Sequence, residues 1–196
     1  MRSTRYRTVE TLLTICLAST SFLQAEEIVP SEEQTTFKGG SAEVADGIRK
    51  VTGEKDETGH GPITYYHVPF QEGTFSLSWK VEKEQKFLLV FDGKPNGKAT
   101  HALKVYFNGG PSKNSKEDDL TLLTYDGSTK EKKKAKIIKH EYHADAGKWH
   151  EVSVTIKGNE ATLVVGRKKY TVTSDSFLEP IEKTGVGHFS GALQTK

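Results

Sequence analysis

The sequence contains very little sulfur. Among its 196 residues there is one methionine and one cysteine, Cys16, which lies close to the N-terminus. A domain formed by the rest of the chain therefore has no disulfide, no cysteine nucleophile and no thiolate metal site. Its stability must come from hydrophobic packing, and residues 37–196 are numerous enough to bury a core of their own.

An excess of charge of one sign is also lacking. The whole chain carries a formal net charge of +2, from 28 basic and 26 acidic residues. Three of the arginines and one of the glutamates lie within residues 1–25, which leaves 25 residues of each sign in the remainder. Because binding to a phosphate backbone requires a basic surface, this balance argues against nucleic acid as the main partner.

No apolar run is long enough to span a bilayer, which needs about 20 residues. The N-terminus instead has three arginines, an apolar stretch at Thr11–Ala18, and Ala25 as a cleavage point before two glutamates. We therefore predict a signal peptide over residues 1–25 and an exported protein, periplasmic, cell-surface or extracellular, without a membrane span in its mature form. Lipidation of Cys16 is not expected, because the bulky Ile15 precedes it.

What the sequence does have is alternation of apolar and polar residues. Thr74–Val81 alternates strictly, which predicts a strand with one buried face, and Thr100–Asn108 repeats the pattern with His101 on its apolar side. The fully apolar Lys86–Phe91 ends at an Asp-Gly turn and is typical of a central strand. Further strands are predicted at Ala42–Val51, Ile63–Phe70, Leu120–Tyr125, Trp149–Ile156, Ala161–Val165, Tyr170–Thr173, Val186–Phe189 and Ala192–Thr195.

About ten short strands without an amphipathic helix indicate an all-β sandwich or barrel. Residues 26–36 are interpreted as a flexible acidic lead-in. The sequence between Trp149–Ile156 and Ala161–Val165 is a typical hairpin turn. The domain is therefore predicted to occupy residues 37–196.

The segment Ala146–Arg167 carries a resemblance to a known superfamily. Its Gly-Lys-Trp-His opening and its closing Gly166-Arg167 turn resemble the late hairpin of concanavalin-A-like lectin and glucanase jelly rolls. This resemblance implies a jelly-roll β-sandwich of two antiparallel sheets. Within the superfamily the chain is most similar to the group of 3-keto-disaccharide hydrolases, through Asp46–Ile48, Gly73–Leu77 and Gly185–Gly187.

The resemblance implies a hydrolase or lyase acting on 3-keto-glycosides, but the chain departs from the pattern at three points. The opening Phe-Asn-Gly-Lys motif is reduced to Phe37–Gly40, and the late Gly-Leu-Gln and His-Gly elements are not reproduced in Gly187–Gln194. The paired-carboxylate strand of the glucanases is absent. Glu82 and Glu84 have suitable spacing for a carboxylate pair but are predicted to lie in a solvated turn.

Exposed tyrosines are the strongest candidates for a functional site. Jelly rolls bind sugars with aromatic rings that stack on pyranose faces, helped by polar neighbours. Tyr106, opposite the apolar face of its strand and next to Lys104, is the first candidate; Tyr65, His67 and Tyr125 are further ones. The alternative is that these tyrosines cap the edges of the sandwich. Both tryptophans and His101 are predicted to lie in the core.

Metal and cofactor sites are not predicted. Asn114, Asp118 and Asp119 supply oxygen ligands for calcium, but their order differs from an EF-hand loop, which favours a solvated loop. His140 and His143 lie in a predicted loop without a third ligand at fixed spacing.

The lysine-rich loop at residues 128–139 has two interpretations. It would either contact an anionic surface or polysaccharide, or form a solvated hairpin tip that blocks aggregation. The hairpin tip is favoured because only one aromatic residue, Tyr142, lies nearby in the sequence.

Three functions remain open at this point. The first is a secreted, non-catalytic carbohydrate-binding or interaction module that binds an extended glycan across one sheet face. The second is a hydrolase or lyase acting on 3-keto-glycosides, and the third is a structural envelope or matrix protein. A face lined by tyrosine and lysine favours binding, convergent acids and histidines favour catalysis, and a flat face of short polar residues favours a structural role.

Overall fold

The computed structural model describes residues 28–82, 86–94, 97, 99–108, 120–124, 136–140, 142 and 144–196. These residues form fourteen strands and one short 3-10 helix at Asp175–Leu178. The strands are β1 Thr35–Lys38, β2 Ser41–Ala45, β3 Ile48–Thr52, β4 Ile63–Tyr66, β5 Gly73–Val81, β6 Lys86–Gly93, β7 Thr100–Asn108, β8 Leu120–Thr124, β9 Lys136–His140, β10 His150–Lys157, β11 Glu160–Val165, β12 Lys168–Thr173, β13 Ile181–His188 and β14 Ala192–Thr195.

The strands form two sheets of seven. Sheet A has the order β1-β4-β13-β6-β7-β8-β9, and sheet B has the order β12-β11-β10-β5-β14-β3-β2. Every strand pair is antiparallel. The predicted all-β sandwich of two antiparallel sheets is confirmed.

The core lies between the sheets and is built by the alternation seen in the sequence. Trp79, on β5 of sheet B, is 1% exposed and stacks on Phe87 of sheet A, with 4.4 Å between ring centroids. Phe107 on β7 packs against both rings, at 5.5 and 5.2 Å. Full burial of such a side chain stabilises the fold by about 1.5–3 kcal/mol, so this cluster holds the two sheets together.

One tight turn confirms the hairpin predicted between β10 and β11, and another divides the predicted strand Ala42–Val51 into the hairpin of β2 and β3. The β2–β3 turn uses Asp46 and Gly47, both at positive φ (51° and 72°), and the β10–β11 turn places Gly158 at φ 55°. Left-handed backbone of this kind matches the right-handed twist of the flanking strands.

Three further elements differ from the sequence prediction. β9 lies in the segment predicted to be a lysine-rich loop, because two adjacent isoleucines flanked by lysines give no alternation that would indicate a strand. β13 begins at Ile181 rather than at Val186. The adjacent charged residues Glu182 and Lys183 interrupt the alternation of apolar and polar residues, so that the sequence did not indicate the first half of this strand. β1 begins at Thr35, before the predicted start of the domain.

Several predicted features lie outside the described residues. These are the signal peptide, Glu84, the candidate calcium loop at 109–119, Tyr125, residues 128–135 of the lysine-rich loop, and His143. Within the described ranges, no helical segment has the length and apolar character that a membrane crossing requires.

Candidate functional site

The outer face of sheet A, meaning the side turned away from sheet B, carries two rows of register-paired residues. Paired residues on neighbouring antiparallel strands lie on the same face. One row is Thr36, Tyr65, Gly185, Val90 and Lys104, and the other is Lys38, Ile63, Gly187, Leu88 and Tyr106. Tyr65 and Lys104 are three strand spacings apart, about 14 Å, on one continuous surface.

Tyr65 lies over the backbone of β13, and the glycines of that strand make this possible. A Cβ atom added at Gly185 would lie 2.9 Å from Cε1 of Tyr65 and 2.8 Å from Cδ1 of Ile63. Because such distances are too short for a side chain, any residue other than glycine would lift the tyrosine ring off the sheet. Gly185 therefore leaves the room that allows the ring of Tyr65 to lie close against the sheet.

Next to this ring lies a chain of charged groups. Nζ of Lys183 on β13 is 4.1 Å from the ring centroid of Tyr65 and 3.5 Å from Oδ2 of Asp92 on β6. The other oxygen, Oδ1 of Asp92, accepts a 2.6 Å hydrogen bond from Nδ1 of His101 on β7. Asp92 thus pairs with a lysine whose ammonium lies over the ring of Tyr65, and with a histidine on the neighbouring strand.

The position of His101 corrects the sequence prediction of a core histidine. A bulge shifts the β6–β7 register between Phe91 and Asp92, so that Leu103 pairs with Phe91 inside while His101 pairs with Asp92 outside. Ala102 is the additional residue and is fully buried. The adjacent apolar residues Ala102 and Leu103 break the alternation, and this is the signal in the sequence that would have located the bulge.

Tyr106, at the other side of the face, is half-buried. Its ring lies 6.4 Å from that of Phe189 at an interplanar angle of 22°, and Nζ of Lys55 lies 4.9 Å from the centroid of Phe189. Burial raises the pKa of both Tyr106 and Tyr65, and the negative charge of Asp92 adds to the effect at Tyr65. Both phenols therefore keep their protons at neutral pH and are able to donate hydrogen bonds. Phe189 was not identified from the sequence.

The remaining predicted site residues fall as follows. His67 follows β4 at the margin of the face, where its Nε2 lies 2.8 Å from Oγ1 of Thr36. Lys104 lies in the same register row as Tyr65. Tyr125 lies outside the described residues. The structure thus brings Tyr65, His67, Lys104 and Tyr106 to one face of one sheet.

Trp149 contradicts the prediction that it lies in the core. It directly precedes β10, in which His150 pairs with the inward-facing Trp79, so that Trp149 projects to the outer side of sheet B. It is partly exposed, and Nζ of Lys80 and of Lys196 lie 5.1 and 4.7 Å from the centroid of its indole ring.

Metal-ligating groups are sparse in the part of the chain that the structure describes. In that part, no group of three or more His, Cys, Asp or Glu side chains is close enough together to hold a metal ion. Asp92 and His101 form a pair without a third such ligand among the described residues.

The chain was compared with known proteins at three levels. No protein family matches its sequence, and no curated protein matches it either. Among solved structures, it is similar to the carbohydrate-binding module CBM66 from Bacillus subtilis, with a TM-score of 0.57 and 8% identity, covering 83% of this chain and 92% of that one.

Two further structures show the same arrangement. The CBM2 module of the evolved Dit of Lactobacillus casei BL23 phage J-1 has a TM-score of 0.61 and 12% identity, covering 83% of this chain and 86% of that chain. The alginate lyase AlyC3 has a TM-score of 0.53 and 11% identity, covering 76% and 72%. The chain therefore has a jelly-roll sandwich fold similar to that of these carbohydrate-binding modules and this lyase.

Proposed function

We propose that the protein is exported by the signal peptide at residues 1–25 and binds a glycan, without cleaving it, on the outer face of sheet A. The observation that carries this proposal is the placement of two half-buried tyrosines, Tyr65 and Tyr106, on one face among lysine and histidine side chains. The protein acts in the periplasm, at the cell surface or outside the cell.

The chemistry of the face suits a saccharide chain. Pyranose rings present C–H surfaces that pack on aromatic rings, and hydroxyls that need both donors and acceptors. Tyr65 and Tyr106 supply rings and hydroxyls, Lys104 and Lys183 donate, and Asp92 accepts. Because the two tyrosines lie on β4 and β7, the glycan is expected to run across the strands rather than along one of them.

Rigidity also supports recognition on this face. Tyr65 is held by the β13 backbone beneath it and by Lys183 beside it, and Asp92 restrains Lys183 and His101. Side chains that are fixed before the ligand arrives lose less conformational entropy when it binds, which raises the affinity. Carbohydrate-binding modules with the same fold are consistent with this use of the face.

A glycan array on the purified protein tests the proposal. We expect saturable binding to a related set of glycans, and a loss of affinity of about tenfold for Tyr65→Ala and for Tyr106→Ala, since each removes one stacking ring. Thr162→Ala, on the outer side of sheet B, is the matched control and should bind normally. Full affinity in a Tyr65→Ala/Tyr106→Ala double variant would show that this face is not the binding site.

A second candidate function is catalysis on the same face by a hydrolase or lyase that acts on 3-keto-glycosides. The observation that favours it is the pair of Asp92 and His101, because a carboxylate that orients an imidazole is a common general-base arrangement. Tyr65, held in its protonated form, would serve as the proton donor.

Catalysis is distinguished from binding by product formation. The protein is incubated with a 3-keto-disaccharide and, separately, with alginate, and products are followed by mass spectrometry. Turnover that is lost in His101→Asn would establish the enzyme, while unchanged substrate together with a positive array would leave the binding module.

A further inference from the structure

Apart from the outer face of sheet A, the described residues include a depression next to the partly exposed Trp149, at the start of β10 on the outer side of sheet B. Its volume is about 360 Å³, at the lower end of the range typical of ligand pockets. Trp149, Ser78, Glu151 and Lys196 are among the residues that line it. A space of this size accommodates one ring unit rather than an extended chain, which sets it apart from the broad face of sheet A.

The strands beneath the depression are firmly paired. Ser78 on β5 exchanges two backbone hydrogen bonds with Lys196, of 2.9 and 3.1 Å, and is paired on its other side with Glu151 on β10. The polar groups of the depression therefore project from three adjacent backbone segments that cannot shift independently.

One wall of the depression is fixed from inside by a hydrogen-bonded histidine. Nε2 of His150 donates to the carbonyl oxygen of Asp145 at 3.0 Å, and in the neutral imidazole Nδ1 accepts from the hydroxyl of Tyr142 at 3.3 Å. Burial, with smaller contributions from Tyr170 and Asp145, raises the pKa of Tyr142 to about 12. The Tyr142 hydroxyl therefore keeps its proton across the neutral pH range and is able to donate to the imidazole.

The charges around the indole are arranged for a ligand that has both an apolar face and an acidic group. The ammonium groups of Lys80 and Lys196 both lie about 5 Å from the centre of the Trp149 ring. Among the described residues, no salt bridge joins either lysine to a carboxylate side chain. Both ammonium groups lie over the indole ring, where each is able to donate a hydrogen bond to a carboxylate, and Glu151 and Ser78 provide acceptors for hydroxyl groups.

We propose that this depression binds a single uronic acid residue of an acidic glycan, with the indole of Trp149 against the sugar ring and the ammonium groups of Lys80 and Lys196 on its carboxylate. This site is separate from the outer face of sheet A and does not depend on the function proposed for that face. A protein with both sites would hold a glycan at two places on opposite sides of the sandwich.

The two tryptophans of the chain allow a direct test by fluorescence. Trp79 is buried and stacked on Phe87, so that emission accessible to a quencher in solvent comes from Trp149. The full chain is titrated with trigalacturonic acid at low salt, with and without acrylamide. We expect a saturable change in emission and protection of Trp149 from quenching, both absent in Trp149→Phe.

Calorimetry on lysine variants tests the recognition of the carboxylate. Lys80→Ala/Lys196→Ala is expected to weaken trigalacturonate binding at least about tenfold, as the loss of charge-assisted hydrogen bonds predicts. Lys157→Ala, an exposed lysine at the other end of β10, is the matched control and should bind as the unmodified protein does.

Three results would overturn the proposal. They are equal binding of the neutral cellotriose, an equal signal from sodium acetate alone, and an unchanged Trp149 emission at saturating trigalacturonate. Tyr65→Ala/Tyr106→Ala separates the two sites: a preserved Trp149 signal in this variant supports an independent site. Loss of the signal in this variant, if its circular dichroism is unchanged, means that the ligand binds on sheet A and contradicts the proposal.

Discussion

The two sheets of this sandwich have similar inner faces and very different outer faces. The outer face of sheet A carries tyrosines, lysines, histidines and an aspartate. The outer face of sheet B carries a row of four register-paired threonines, Thr74, Thr155, Thr162 and Thr171, one from each of four neighbouring strands. The inner faces must pack together, so that only the outer faces are free to differ.

Two neighbours in the threonine row form a hydrogen-bonded pair. The hydroxyl oxygens of Thr74 and Thr155 lie 2.8 Å apart, within hydrogen-bonding distance. Cross-strand pairs of this kind stabilise a sheet by about 0.2–1 kcal/mol each. From the sequence we expected that a flat face of short polar residues would favour a structural role and that a face of tyrosine and lysine would favour binding. The molecule has one surface of each kind: the outer face of sheet A, proposed for recognition, and the threonine row of sheet B, which contributes to stability and lies at the other end of β5 and β10 from Trp149.

The largest expected effect concerns the core that both faces share. Trp79→Ala removes the ring that joins β5 of sheet B to β6 of sheet A, and should lower the free energy of unfolding by about 3–5 kcal/mol. Replacement of the partly exposed Trp149 by alanine should lower the free energy of unfolding by much less. Urea unfolding of both variants measures the difference, and equal losses would contradict the assignment of Trp79 as the tryptophan that holds the sheets together.

A smaller effect is expected from Asp92→Asn on the outer face of sheet A. The change removes the negative charge that restrains Lys183, so we expect glycan affinity to fall about threefold to tenfold with stability nearly unchanged. Glu182→Gln is the matched control, because this carboxylate pairs with Lys94 at 2.6 Å instead. Titration calorimetry on both variants tests the role of Asp92, and equal losses of affinity would argue against it.

Acid should destabilise the protein through a buried histidine on the inner side of sheet A. His188 donates from Nε2 to the carbonyl of Gly191, and burial lowers its pKa below the usual 6.5. The unfolded chain therefore binds the proton more readily, so that the contribution of His188 to stability is complete above pH 6.5 and declines as the pH falls below that value.

The test for His188 compares how steeply the free energy of unfolding falls with decreasing pH in two proteins. We expect urea unfolding at a series of pH values to show that, below the usual histidine pKa, the free energy of unfolding decreases more steeply in the unmodified protein than in His188→Gln. Parallel curves would mean that His188 does not contribute to the acid sensitivity.

The smallest effect is expected from the threonine row. Thr155→Ala breaks one cross-strand pair and should cost about 0.2–1 kcal/mol in the free energy of unfolding, without any change in glycan binding. Thermal unfolding together with the array measures both quantities. A loss of binding in the array would show that the threonine row takes part in recognition.

Local patterns predicted much of the fold, whereas the composition of the site depended on contacts that are distant in sequence. The alternation in Thr74–Val81 and Leu103–Asn108 gave the correct buried faces, because period two is a property of a single strand, and it failed only at the bulge next to His101. By contrast, the strand order β4-β13-β6-β7 joins segments from opposite ends of the domain, and no local pattern contains it. Tyr65 and Tyr106 were identified as candidates one by one, but their common face required that order.

The two wrongly placed aromatic residues have local causes. The bulge at Asp92 turned His101 outward against the count of alternating residues. Trp149 was assigned to the core by its residue type, although it lies on the opposite side of its strand from the inward-facing Val152 and Val154. For His101 the alternation rule, and for Trp149 the residue type, predicted a buried side chain. In both cases the position of the residue on its strand directed the side chain to the outer side of the sheet instead.

The positions of β13 and β14 have a consequence for the time at which the chain is able to fold. Both strands come late in the sequence, yet β13 lies between β4 and β6, and β14 lies between β5 and β3. Until Ile181–Thr195 has been synthesised, neither sheet is able to close, and pairing over such sequence separations is intrinsically slow. A nascent chain is therefore unable to complete either sheet before the residues of β13 and β14 have been synthesised.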